Sequence, residues 1–249
     1  MIHGGVILYK NSNAAYGLVG NLAVSVQALM ILGSLFVALR RAALPAVSRS
    51  VARGDSNHRI YLSVVVRLAF VFGTLATIWA LAIGADIVQL VLGVRYQTAG
   101  HWLWLALCVL IPFVIKQAVI NTLVAHSRYT ETMWLSMIGA ASMASAVLLL
   151  AVPYGFAGVI AGILIGFSIN AAIGMLILMH MQLLDHISDI PKLAVIATLT
   201  TVIYIATEHF HPLPAAIVAT LVLIAGVMLF GVIRDSENQA VWRIIRQRY

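Results

Sequence analysis

Long apolar runs alternate with short polar breaks along the whole chain. The runs fall near residues 16–39, 60–83, 99–125, 132–152, 155–180, 193–207 and 213–233. A helix needs ~20 apolar residues to cross the hydrocarbon core of a bilayer, and these runs are of that order. Backbone polar groups must be paired inside a bilayer, so only helices and closed barrels span one, and the runs are too long for barrel strands. The pattern predicts an all-α integral membrane protein of about seven transmembrane helices. The breaks carry turn-forming residues: Pro45 and Gly54-Asp55, Gly93 to Gly100, Pro153-Tyr154-Gly155, Asp189-Ile190-Pro191, and Pro212-Leu213-Pro214. Two shorter segments, 85–93 and 239–249, mix apolar with polar or basic residues and are expected to lie on the membrane surface.

Composition narrows the class. Of 249 residues, 62% are hydrophobic and 9% charged, and the mean hydropathy is +1.02. A soluble domain is roughly 45–50% apolar and about 25% charged. The balance excludes a soluble globular enzyme, a disordered chain, a disulfide-stapled secreted domain and a nucleic-acid binder. Cys108 is the one cysteine, so no intrachain disulfide can form.

The net charge of +7 then reads as topology. With the loop after the first span in the cytoplasm, Arg40, Arg41, Arg49, Arg53, Arg59, Arg128, Lys192, Arg234, Arg243, Arg246 and Arg248 fall inside. Only Lys10 and Arg95 fall outside, while Arg67 and Lys116 remain within spans. Positive residues concentrate on the cytoplasmic side of membrane proteins, which sets the N-terminus outside and the C-terminus inside. The start, Met1 to Gly5, lacks the basic region of a secretory signal. An outer N-terminus without a signal predicts that further sequence precedes residue 1.

Lys116 is the most informative position. It lies about nine residues, or ~13 Å, from the inner end of the third span. A charge at such depth costs at least ~2.5–3.5 kcal/mol and usually faces a polar cavity or a partner. Pro112, Lys116, Gln117 and Asn121 share one half of the helix circumference, and Pro112 removes a backbone bond one turn before the lysine. Arg67 sits ~10 Å inside the second span, with Thr74 on the same face. The fifth span carries Gly158, Gly162, Gly166, Asn170 and Gly174 at four-residue intervals, the close-packing signature of membrane helices. Its expected partner surface on the fourth span is Ser136, Gly139, Ala140, Ala144 and Ser145. Asn170 in that stripe is also placed to reach a cavity. Asn21, Ser25, Gln27 and Ser34 of the first span are read as interhelical hydrogen-bonding groups.

No span holds an acidic residue near its middle, which argues against a carboxylate proton relay and against a metal-dependent sugar transferase. The cluster His180, Asp185, His186 and Asp189 matches no metal motif and is read as a solvated loop, as is Glu208 to His211. Neither a metal nor a cofactor is expected.

Four stretches resemble the second half of bacterial polysaccharide flippases, in the superfamily that also holds multidrug extruders. They are Ala15-Tyr16-Gly17 leading to Leu44-Pro45-Ala46-Val47-Ser48-Arg49; Leu90-Val91-Leu92-Gly93-Val94-Arg95-Tyr96; Asn121 to Arg128; and Pro153-Tyr154-Gly155-Phe156-Ala157-Gly158. Each is degenerate alone, but order, spacing and sidedness agree with the family. His126-Ser127 stands where the family usually has a small residue and a glycine. The resemblance implies an organisation of 1–15 as the outer tail of a missing helix, 16–181 as the five-helix part of the C-terminal flippase bundle, 182–233 as two extra transmembrane helices and 234–249 as a basic cytoplasmic tail. It implies a non-enzymatic transporter of the bacterial inner membrane that flips an undecaprenyl-diphosphate-linked oligosaccharide for surface polysaccharide assembly. The partners it implies are that lipid-linked oligosaccharide, membrane lipids and an N-terminal flippase half or second helical bundle, with no nucleic acid. Lys116, Gln117, Asn121, Arg67 and Asn170 are the expected substrate-binding residues. The alternatives are a small-molecule or multidrug exporter of the same superfamily, a non-transporting membrane subunit or remnant, and a membrane polymerase or ligase. Buried carboxylates would mark the exporter, and a large outer loop the polymerase or ligase.

The topology has a direct test. An impermeant thiol reagent added from outside should modify a cysteine placed at Gln97 but not one placed at Ser56. The reverse pattern would remove both the orientation and the alignment with the family.

Overall fold

The computed structural model describes residues 13–54, 57–183, 189–207 and 211–229. Among these the chain is almost wholly helical and contains no strand. It is an all-α membrane protein. The helices are α1 (Asn13–Arg53), α2 (Asn57–Leu92), α3 (Gln97–His101), α4 (Leu103–Cys108), α5 (Leu110–Ala125), α6 (Tyr129–His180), α7 (Asp189–Thr207) and α8 (Pro212–Leu229), with a 3-10 turn at Val94–Tyr96 before α3. Four stretches are long and apolar enough to cross a membrane: Val19–Ala38, Leu62–Leu92, Leu103–Ala125 and Tyr129–His180. Pro191–Thr207 and Pro212–Met228 are shorter apolar helices.

Three boundaries depart from the expected pattern. Pro45 was expected to mark a break, yet α1 runs through it to Arg53. Proline forfeits only its own N–H bond to the residue four earlier. Here Arg41 and Pro45 are both exposed beyond the apolar run, where outside polar groups can satisfy the freed carbonyl. Residues 85–92 are not a separate surface segment but the last turns of α2. Val88 is buried there in a cluster with Ala80, Ala99, Leu103 and Leu107, and that packing extends the helix. The third expected span is divided into α3, α4 and α5. Its second interruption, at Val109, is the one Pro112 predicts: proline cannot donate to the Cys108 carbonyl, and the ring sits in the first turn of α5, where no N–H is required. The first interruption, at Trp102, had no local signal. It coincides with a tertiary contact in which Asn21 of α1 accepts the Ala99 N–H at 3.0 Å, capping α3 from a neighbouring helix. Of the other polar residues of α1, Ser34 bonds within its own helix, to the Ile31 carbonyl at 2.6 Å, rather than across to another.

The 52-residue α6 is two helices. Gly155 reverses the chain with φ 54° and ψ −127°, a left-handed conformation that favours glycine. The two arms, 129–154 and 156–180, lie against each other in antiparallel fashion. A Cβ added at Gly162 would lie 2.7 Å from the Val147 Cα, and one at Gly166 would lie 2.5 Å from the Met143 Cα. One at Gly158 would collide with the Leu150 carbonyl, and one at Gly139 with the Asn170 amide. The glycine stripe thus lets the arms approach backbone to backbone. The surface it meets is Leu135, Gly139, Met143, Val147 and Leu150, of which Gly139 alone belongs to the expected set. Ser136, Ala144 and Ser145 are exposed, because the first arm is rotated to pair its own four-residue row with the stripe.

Neighbouring elements alternate in direction. Gly20 of α1 faces Tyr96 and Gly33 faces Phe113, so α1 runs parallel to the α3–α5 series. In α2 the order is opposed: Gly84 meets Gly100, Thr77 meets Cys108 and Gly73 meets Ile111. The second arm of α6 again runs parallel to α5, with Phe167 against Phe113 and Gly174 against Val119. The main core joins these elements through Leu62, Val66 and Ala69 of α2, Val114, Ala118 and Leu123 of α5, and Leu135, Met175 and Leu178 of α6. The antiparallel pair α7 and α8 packs on α2: Leu193, Ile196, Leu223 and Val227 meet Phe70, Val71 and Leu75, while Tyr204, Ala215 and Ala219 meet Ile78 and Ala82. The outside is as apolar as the inside, with Leu35, Leu149, Val152, Leu176 and Met228 all exposed. A surface of that kind suits hydrocarbon rather than water.

Helices α5 and α6 both end in Schellman turns. The Arg128 N–H reaches the Leu123 carbonyl at 2.9 Å, and the Leu183 N–H reaches Leu178 at 3.0 Å. The left-handed residues are Ser127 at φ 56° and Gln182 at φ 55°, neither of them glycine. Ser127 therefore stands where the backbone itself favours glycine. Residues 1–12 of the expected outer tail 1–15, the basic tail at 234–249 with its surface helix at 239–249, and the side chains of Asp185, His186 and Asp189 lie outside the described residues.

The arm-to-arm contact predicts a stability effect. Gly162→Val should destabilise the protein by about 1–3 kcal/mol, the range for overpacking a tight interface. Ile165→Val, on the exposed face of the same arm, should be near neutral. Denaturant titration of the purified protein in a fixed detergent measures both, and equal effects would refute the tight interface.

Candidate functional site

Lys116 lies on α5, one turn beyond Pro112. The first arm of α6 passes on one side and the second arm on the other. Between them is a cleft of about 470 Å3 lined by Lys116, Met133, Ser136, Met137, Gly139, Ala140, Met143, Gly166, Phe167 and Asn170. Gly139 and Gly166 belong to the two packing rows, so the cleft lies directly beside the tight interface. Met133 and Met137 are more than half exposed and form its outer wall, at 52% and 55%. The cleft therefore opens on the flank of the bundle rather than at one end.

The lysine is half-buried. Its ammonium lies 5.1 Å from the centre of the Phe167 ring, a cation–π distance. Phe113 meets the same ring edge-on, with centroids 5.6 Å apart and planes at 80°. No ion pair with a carboxylate is formed by Lys116 among the described residues. The one described ion pair, Arg128 with Glu131 at 3.3 Å, is a surface contact near the start of α6.

Asn170 supplies the polar end of the cleft. It is 1% exposed. Its Nδ2 donates to the Leu135 carbonyl at 2.8 Å, a bond from the second arm to the first. Its Oδ1 has no hydrogen-bond partner among the described residues. Ser136 donates to the Thr132 carbonyl at 2.8 Å and so serves its own helix.

Of the five residues expected to bind substrate, the structure brings Lys116 and Asn170 into this cleft. Gln117, Asn121 and Arg67 are not among its lining residues. Gln117 is half-buried on α5. Asn121 is 3% exposed and stands roughly 140° around the helix from Lys116 at 3.6 residues per turn. The half-circumference shared in sequence is too wide an arc to face a single cleft. Arg67 is 8% exposed on α2, beside Val65 and Val66 of the main core, and Thr74 on the same helix is also buried. Phe167 and the three methionines had not been singled out. Phe167 had a usable signal: it lies three residues before Asn170, on the same helix face.

Among the described residues no group of three or more His, Cys, Asp or Glu side chains could hold a metal ion. Cys108 meets Thr77 at 3.6 Å within the helix packing, away from the cleft. His126 is held by the Thr122 carbonyl through Nδ1 at 2.8 Å, at the end of α5. No protein-family model matches the chain, and no curated protein matches it.

The ring contact predicts how Lys116 behaves. A cation–π contact contributes ~0.5–2 kcal/mol. Phe167→Leu should therefore raise the acylation of Lys116 by a small bilayer-permeant reagent by between about twofold and thirtyfold. Mass spectrometry of the labelled chain reads this, with exposed Lys192 as internal reference. Unchanged labelling would mean that the ring does not hold the ammonium.

Proposed function

We propose that the chain is a membrane transporter of polysaccharide biosynthesis. In this reading it forms one helical bundle of a flippase that moves an undecaprenyl-diphosphate-linked oligosaccharide outward across the bacterial inner membrane. One observation carries the reading: an ammonium with no described carboxylate partner lies in a cleft on the flank of an otherwise apolar bundle. Charge in such a setting interacts far more strongly than in water, because little solvent screens it. A diphosphate supplies the opposite charge, and Lys116 is its contact. Gln117, Asn121 and Arg67 belong to this reading as further polar residues of the path, outside the cleft itself.

The sequence supports the rest. Four stretches resemble the family in order and spacing, and the distribution of lysine and arginine favours an outer N-terminus and a cytoplasmic C-terminus. Flipping needs alternate openings toward the two leaflets, which related transporters obtain by rocking two bundles against each other. A cleft open on its flank is suited to closure by such a second bundle, supplied as an N-terminal flippase half.

The test is made in a flippase-deficient cell, with surface polysaccharide as the readout. The chain alone should fail to restore it, and co-expression with an N-terminal flippase half should succeed. In that background Lys116→Arg should retain part of the activity. Lys116→Met should lose most of it, with both variants inserted at normal levels. A charge-assisted hydrogen bond contributes roughly 1.5–3 kcal/mol, so the loss should be about tenfold to a hundredfold. Wild-type transport by Lys116→Met would end the diphosphate reading of this cleft.

A further inference from the structure

We infer that the cleft recognises two features of its ligand together: a phosphate at Lys116 and, next to it, a hydrogen-bond donor, a hydroxyl or amide N–H, at Oδ1 of Asn170. The inference rests on the anionic ligand proposed above and adds a second contact to it.

The orientation of the Asn170 amide is fixed from within the fold. Nδ2 donates to the Leu135 carbonyl at 2.8 Å. A flipped amide would set oxygen against oxygen, so Oδ1 is the atom left over. It is buried and has no partner among the described residues. A buried acceptor without a donor is unfavourable, and few native groups remain in that condition. Linking the two arms explains the nitrogen of this side chain but not its oxygen. Among the unpartnered buried atoms, those of Ser25, Thr74 and Asn121 belong to residues outside the cleft, whereas Asn170 lines it.

The shared lining defines the ligand. Phe167 and Asn170 are three residues apart on one helix face, with Cβ atoms roughly 5–6 Å apart. The ammonium of Lys116 lies 5.1 Å from the Phe167 ring centre. Lys116 and Asn170 line the same cleft of about 470 Å3, so a single polar ligand that fills it meets both: a phosphate whose neighbouring substituent carries the donor. Oδ1 has no free surface with the side chains as they stand, so a donor reaches it as the lining shifts. That lining contains Met133, Met137 and Met143, and methionine is the most adaptable of apolar side chains. A phosphate with an adjacent hydroxyl or amide occurs in a glycosyl diphosphate and in the headgroup of phosphatidylglycerol.

The experiment uses the full chain in nanodiscs of a zwitterionic lipid and two matched pairs of probes. The first pair is farnesyl-diphosphate-linked N-acetylglucosamine and the methyl ester of farnesyl diphosphate. The second is phosphatidylglycerol and phosphatidylethanol, which have equal charge and differ in the hydroxyls. In at least one pair the donor-bearing member should bind about three- to tenfold tighter. The pair showing the difference identifies the source. Asn170→Ala should bring that ratio close to one while leaving the bare member within about twofold of its wild-type affinity. Lys116→Met should weaken both members. Equal binding of both members of both pairs by the unmodified chain overturns the inference without reliance on any variant. Equal weakening of both members by Asn170→Ala also overturns it, since Asn170 would then only tie the arms together. Unchanged binding of both members by Lys116→Met overturns the phosphate reading at Lys116, and a surviving ratio in that variant would leave the donor contact at Asn170 intact.

Discussion

Close approach of two backbones inside α6 is the constraint on which the rest of the structure depends. Between helices in lipid, apolar surface gains little by leaving one hydrocarbon for another, so packing and hydrogen bonds must supply the association. Gly158, Gly162 and Gly166 permit contact at the level of the main chain, and Gly155 turns the chain so that the rows meet. That register sets Asn170 opposite Gly139 and Leu135. It also presents Phe167 to α5, where Phe113 and Lys116 receive it. Shifting the register by one helical turn would move Asn170 away from the Leu135 carbonyl and Phe167 away from the lysine. The cleft and the tight interface are two sides of the same arrangement.

The cleft combines a small number of polar groups with an adaptable apolar wall. Lys116 is held by an aromatic face, with no carboxylate paired to it among the described residues. Asn170 spends its donor on the fold and retains its acceptor. Because the mouth lies on the flank, whatever covers it approaches through the plane of the helices and not along their axes. The pair α7 and α8 packs elsewhere, on α2, so these two helices leave this flank uncovered.

Much of the architecture was legible because apolar run length and glycine spacing are strong, local signals. Each expected span falls on helix within the described residues, and the four-residue stripe packs as such stripes do. Two kinds of information were not local. The start of α3 at Ala99 is capped through space by Asn21, which lies far away in sequence, and the break at Trp102 has no local signal. The facing surface of the first arm depends on how that arm is rotated, which a row of small residues does not determine when neighbouring rows also contain them. The site was legible in part for the same reason. Lys116 was conspicuous as a deep charge and Asn170 as the polar member of a glycine stripe. Gln117, Asn121 and Arg67 were grouped with them by polarity and helical arc alone, and an arc of half the circumference faces more than one neighbour.

The sharp reversal at Gly155 also bears on how the chain is made. With hardly any loop between the arms, neither can be released into lipid far ahead of the other during synthesis. Asn170 would be a poorly satisfied amide on a lone helix, but in a hairpin that enters the bilayer as one piece it finds the Leu135 carbonyl at once. The turn thus ties membrane entry of the second arm to that of the first.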